Sequence, residues 1–164
     1  MVLDELAVPI VQAPMAGGPS TPELAAAVSN AGGLGFAAAG YKSPEAFAED
    51  LAATRSLTGR PFGANLFVPP AAPGDPERVN AYVAQLEATE AGPLGEPRSD
   101  DDAFDAKIDL LVSEPVAAVS FTFGEPPPEV IDRLRAAGTE VWVTATNLGD
   151  AMCEADVLVV QGVE

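Results

Sequence analysis

The side chains that could do chemistry in this 164-residue chain are defined first by what is missing. There is no histidine, so the commonest general base and the commonest metal ligand are both absent. A single cysteine, Cys153, excludes an internal disulfide and a cysteine-rich metal site, and it reads as a small half-buried thiol. Asp100-Asp101-Asp102 has the composition of a cation site, but acids ahead of an apolar stretch read better as a solvated helix start. What remains is a set of neutral groups at the ends of short apolar runs. They are Gln12-Ala13-Pro14-Met15, Ala38-Ala39-Gly40, Asn65, residues 120–124, Thr144 and Gln161-Gly162. They contain no carboxylate pair for glycoside hydrolysis. Asn65 and Gln161 can each donate and accept through one amide, which suits a planar heteroaromatic ring such as a flavin. Such a cofactor would bring the redox chemistry that these side chains lack.

The groups are positioned by a repeated alternation of apolar runs and helical stretches. An apolar strand beginning at Val8 breaks at Pro14 into a turn containing Gly17-Gly18. Ser20-Thr21-Pro22-Glu23 then supplies a capping hydroxyl, a proline suited to the first helical position and an acid for the positive end of the dipole. The spacing predicts a helix over 22–30, stopped by Gly32-Gly33. Because these glycines precede a strand, they are not a dinucleotide-binding fingerprint. Further strands are predicted at 34–39, 61–67, 116–121, 140–144 and 157–160. Helices are predicted over 44–56, 75–90, 103–112, from Pro128 to a stop at Gly138, and in a short stretch between Asn147 and Ala155. Residues 92–102 form an acidic loop insert. Six strands, each followed or preceded by helical material, call for parallel pairing with right-handed crossovers. The order predicts an α/β fold, either a (β/α)8 barrel or a doubly wound sheet, in one domain over 1–164.

Composition narrows the partners. Eight basic against 25 acidic residues give a formal charge of -17, which argues against nucleic acid and anionic membrane. No run approaches a membrane span and no secretory signal opens the sequence, so a soluble cytoplasmic protein is expected.

Five motifs occur in order: Pro9-Ile10-Val11-Gln12-Ala13-Pro14-Met15, Asn30-Ala31-Gly32-Gly33-Leu34-Gly35, Gly63-Ala64-Asn65-Leu66-Phe67, Ser120-Phe121-x-Phe123-Gly124 and Val159-Val160-Gln161-Gly162-Val163-Glu164. This set resembles the nitronate monooxygenase family, formerly the 2-nitropropane dioxygenases. The resemblance implies an FMN-binding TIM (β/α)8 barrel that oxidises alkyl nitronates with O2. In the implied mechanism the flavin takes an electron from the nitronate and oxygen reacts with the resulting radical. It also implies that Ala13, Pro14 and Met15 lie against the flavin, that Asn65 hydrogen-bonds it, and that Gln161 contacts its ring or ribityl chain. Thr144 is a weaker candidate. In the family, Gln-Gly-x-Glu continues into Ala-Gly-Gly-His, whose histidine is the catalytic base. This sequence stops at Glu164, so no catalytic residue is assigned. The resemblance then implies an incomplete barrel of about six β/α units, an amino-terminal half without the phosphate-binding loops and inactive by itself. The helix between Asn147 and Ala155 is also about one turn shorter than the family's.

Two further readings stay open. A flavin-dependent enoyl-acyl-carrier-protein reductase shares the Gln-Ala-Pro-Met start and would consume NAD(P)H. A non-catalytic half-barrel would expose its unpaired edges and self-associate through them.

Overall fold

The computed structural model describes residues 1–89, 92, 94–97 and 99–162. Its frame is a sheet of five parallel strands: β1 (Gly35–Ala38), β2 (Phe62–Phe67), β3 (Ala118–Thr122), β4 (Glu140–Ala145) and β5 (Val157–Val160). The strands lie side by side in chain order. A doubly wound sheet reverses its order at a switch point, so this order is that of a barrel wall. Around it run α1 (Pro22–Asn30), α2 (Pro44–Leu57), α3 (Pro76–Glu87), α4 (Phe104–Ser113) and α5 (Pro128–Ala136). Three of these starts are built alike, with proline at the first turn. Thr21 accepts from the Leu24 amide, Ser43 from Ala46 and Asp75 from Glu77.

Period-two alternation divides the sheet. Phe62, Ala64 and Leu66 of β2, Val119 and Phe121 of β3 and Val141 of β4 enter the main core. There they meet Phe47 and Leu51 of α2, Ile108 and Leu111 of α4, and Ile131 and Leu134 of α5. The opposite face carries a smaller cluster of Leu34, Phe36, Ala118 and Trp142, packed by Val2 and Leu6. Those last two belong to an amino-terminal segment containing a short 3-10 helix (Val2–Glu5). It is tied down by the Val2 amide donating to Glu140 Oε1 at 2.6 Å, while Trp142 Nε1 donates to Glu140 Oε2 at 3.2 Å. Helix α1 lies so close to β1 that a Cβ on Gly35 would stand 1.9 Å from the Ala25 carbonyl oxygen. That close approach, rather than helix termination, is the reason for glycine at 35. Gly32, at φ 93°, does end the helix.

Three expectations are corrected. The sheet has five strands, not six. The run from Val8 makes only a single parallel bridge, Val11 to Leu34, with Leu34 N–H donating to Ile10 O at 3.0 Å and Gln12 N–H to Leu34 O at 2.9 Å. The Val8 amide also donates to the Gly32 carbonyl at 3.0 Å, but Gly32 at φ 93° is still closing the α1 cap, so the pairing does not become a regular ladder. The helix between Asn147 and Ala155 is a single 3-10 turn (Asp150–Met152), because Asn147 Oδ1 accepts from the Gly149 and Asp150 amides. The helix expected over 75–90 ends at Glu87; Glu90 lies outside the described residues, as do Pro93 and Arg98 of the acidic insert. No helix among the described residues is long and apolar enough to cross a membrane.

The aspartate run is also more than a solvated start. Helix α4 begins after Ala103 in the left-handed region, with no side-chain cap. Asp102 turns inward to pair with Lys107 at 2.8 Å, and that lysine is fully buried. Lys107 Nζ also donates to the Ala39 carbonyl at 3.0 Å, and Asp102 accepts from the Tyr41 amide at 2.9 Å. One ion pair therefore fastens α4 to the chain leaving β1. Truncating a partner of a buried pair leaves the other charge uncompensated, at a cost of about 3 kcal/mol or more. We expect Lys107→Ala to lower the unfolding free energy obtained from urea titration by about that amount, and Lys107→Ala/Asp102→Ala to lower it by less than the two single changes summed.

Candidate functional site

Parallel strands present their carboxyl ends together, and here they surround a cavity of about 850 Å³, within the roughly 300–1,000 Å³ range of small-molecule sites. Its inner wall comes from the row Asn65, Ser120 and Trp142, which the strand register sets side by side. Phe36 and Val11 add apolar surface, and Thr122, Thr144 and Gln161 add neutral polar groups. Among the described residues, the only charged one on the wall is Asp150.

Asn65 is 3% exposed, and its amide nitrogen lies 3.1 Å from Ser120 O, 2.9 Å from Ser120 Oγ and 3.0 Å from Thr122 Oγ1. These contacts lock its rotamer across β2 and β3. Among the described residues its Oδ1 accepts no hydrogen bond, and no buried polar side-chain atom is left unsatisfied, so Oδ1 is the oxygen available to the cavity. Gln12 is turned the other way. Its Oε1 accepts from the Phe36 amide at 3.0 Å, and its Nε2 donates to Ala13 O at 2.9 Å and Ser20 Oγ at 2.8 Å. Ser20 Oγ in turn accepts from the Met15 amide at 2.8 Å. The Gln12 amide therefore shapes the 13–19 loop from within.

Of the residues singled out from the sequence, Ala13, Pro14, Asn65 and Gln161 come together on the cavity wall, as does Thr144. Met15 is not on it; its side chain is 40% exposed and its backbone is held by Ser20. Sequence reasoning missed Trp142, Phe36 and Asp150. Phe36 and Trp142 sit within apolar strands, where nothing in the pattern marks which face they take. Cys153 is half-buried, and burial, with Glu125 nearby, pushes its thiol up, away from a nucleophilic thiolate. Among the described residues no group of three or more His, Cys, Asp or Glu could hold a metal ion.

Asp150 is held as a carboxylate. The Thr146 amide (2.9 Å) and hydroxyl (2.8 Å), helped by the Asn147 side-chain amide (2.9 Å), hold it below the ordinary aspartate range against the opposing effect of burial. A depressed carboxyl is a poor general base. Because the ionised form is favoured in the folded chain, its contribution to the 146–150 loop is complete above the ordinary aspartate range. It is lost as the pH falls below that range, through the folded-state value. We expect the Thr146 amide NMR signal to titrate in that acid window and Asp150→Asn to abolish the titration. A Thr146 signal indifferent to acid would refute the assignment.

A model of the nitronate monooxygenase family matches residues 2–164. A probable nitronate monooxygenase of Staphylococcus saprophyticus is 39% identical over 164 residues, covering 95% of this chain and 46% of the relative. A probable nitronate monooxygenase of Bacillus subtilis is 36% identical over 162 residues, covering 95% and 47%. The structure of a nitroalkane oxidase from Streptomyces ansochromogenes is similar with a TM-score of 0.89 at 48% identity, over 99% of this chain and 48% of that one. FabK from Thermotoga maritima is similar with a TM-score of 0.67 at 27% identity, over 97% and 42%. The chain spans about half the length of the curated relatives it matches.

Proposed function

The chain belongs to the nitronate monooxygenase family, and on that footing we propose that its strand-end cavity receives the ring of FMN, against which an alkyl nitronate is oxidised by O2. The observation that carries this is Asn65, an almost buried amide locked on one side and left with an open acceptor toward a cavity walled by neutral and apolar groups. A charge-lined or metal-lined pocket would not fit a flavin ring; this donor and acceptor set does. When bound, the flavin supplies the electron acceptor and the reactivity toward oxygen.

The protein's own groups then have defined tasks. Asn65 Oδ1 would accept from a ring N–H. Ala13 and Pro14 would support one face, their loop held open by Gln12 and Ser20. Gln161 would reach the ring or the ribityl chain. Phe36 and Trp142 exclude water from the inner end of the cavity. Asp150, held ionised by Thr146 and Asn147, would add a fixed negative charge at the rim of the cavity rather than a base. The enoyl-reductase reading would show itself as NAD(P)H-dependent bleaching of the flavin.

Trp142 is the only tryptophan and lies on the cavity wall, so flavin binding has an internal reporter. Titration with FMN should quench Trp142 saturably, and Asn65→Ala should weaken binding by about two- to tenfold, the effect of a hydrogen bond worth roughly 0.5–1.5 kcal/mol. No quenching at any FMN concentration would overturn the reading.

Self-association follows from the same architecture. Strand β5 has β4 on one side and, among the described residues, no strand on the other, and Val160 is 84% exposed. Such an edge recruits a second copy of the chain. Light scattering should give a mass above that of the 16.7 kDa monomer, falling toward it in Val160→Lys. A wild-type monomer at every concentration would count against this.

A further inference from the structure

A second cavity, of about 670 Å³, lies beside the first, and Phe67 and Phe123 line both. We propose that it receives an uncharged alkyl or aryl substituent of the substrate whose nitro-bearing end occupies the first cavity, a proposal that rests on the functional reading above.

The shared wall is a row of three rings. Phe67 sits between Tyr41, at 5.4 Å, and Phe123, at 4.9 Å, centroid to centroid. Gly40 permits this arrangement, because a Cβ there would come within 2.4 Å of the Phe67 ring. Tyr41 and Phe123 both hold left-handed backbone, at φ 66° and 73°, a conformation that aromatic residues rarely adopt. Yet their rings are 78% and 75% exposed, so the rest of the fold gains little burial from them. Strain of this kind, kept at two positions flanking one ring, belongs with a binding surface rather than a core. The strained turn at Tyr41 is enforced from outside, since Asp102, held by buried Lys107, accepts its amide.

The remaining wall decides the ligand's character. Val68, Pro69 and Pro70 continue the apolar surface. Opposite them stands Asp101, beside Asp102, which is paired with Lys107, and Lys42, which is paired with Asp50. With those pairs neutralised, the Asp101 carboxylate on a chain of charge -17 repels an anionic tail, and a neutral one is accepted.

The test is calorimetric titration, with O2 excluded, of the full chain with the nitronates of 1-nitroalkanes of two to six carbons and of 6-nitrohexanoate, each with and without FMN. In the wild type, affinity should rise roughly fourfold per added methylene, as for apolar burial, and 6-nitrohexanoate should lose that gain. Tyr41→Gly removes the ring and relieves the left-handed backbone, so the fold is retained. It should flatten the chain-length dependence while leaving the two-carbon compound unchanged. Asp101→Asn should restore part of the affinity for 6-nitrohexanoate. If FMN binds but affinity does not depend on chain length, or the dependence is the same in Tyr41→Gly, the slot is overturned. If the dependence appears and FMN does not bind, the slot stands and the flavin reading fails.

Discussion

In a parallel sheet covered by helices on one side, every second residue of a strand is committed to the helical layer. Strand β2 shows the consequence most clearly. Phe62, Ala64 and Leu66 go to the main core, and the residues between them are left to the opposite face. Gly63 there accepts the Phe36 ring against its backbone, since a Cβ would approach that ring within 2.5 Å. Asn65 meets Ser120, and Phe67 reaches the strand ends. A shift of one residue in register would reverse both faces and put Asn65 into the apolar core. The burial of Phe62 and Leu66 thus holds the candidate site in place.

Two neutral amides near the strand ends have taken opposite roles. Gln12 uses both ends of its side chain on the chain's own backbone and on Ser20, and so acts as a brace for the loop over residues 13–19. Asn65 uses its nitrogen for the same kind of cross-strand locking and keeps its oxygen for the cavity. The difference arises from partners. Gln12 lies beside the free Phe36 amide at the start of β1, whereas Asn65 is flanked by two hydroxyls and a carbonyl that all face its nitrogen.

The loop side of the sheet is tied together by charge. Buried Lys107 joins Asp102 and the Ala39 carbonyl, and through Asp102 it sets the Tyr41 backbone. A feature that looks local, an aspartate run before a helix, therefore controls the aromatic row at the mouth of two cavities. At the far end of the sheet, Asp156 plays a comparable part. Its carboxyl takes the Val141 amide at 2.7 Å and pairs with Arg135 at 2.9 Å, which fastens α5 to the approach to β5.

Much of this was already written in the amino-acid order. Thr21-Pro22-Glu23, Ser43-Pro44-Glu45 and Asp75-Pro76-Glu77 specify helix starts by local hydrogen bonding alone, and all three stand where expected. The short apolar runs between them specify parallel strands, and the motifs around Pro14, Asn65 and Gln161 specify the family. Tertiary structure decided the rest, because it depends on groups far apart in the chain. Whether the run from Val8 becomes a strand depends on how soon Leu34 turns extended after the Gly32 cap. Whether Asp102 faces water depends on Lys107 finding the Ala39 carbonyl, and whether an amide braces a loop or faces a cavity depends on the strand beside it. Helix starts are local hydrogen bonds between neighbours in the chain; a cavity wall is an agreement among strands, set only when the sheet is assembled.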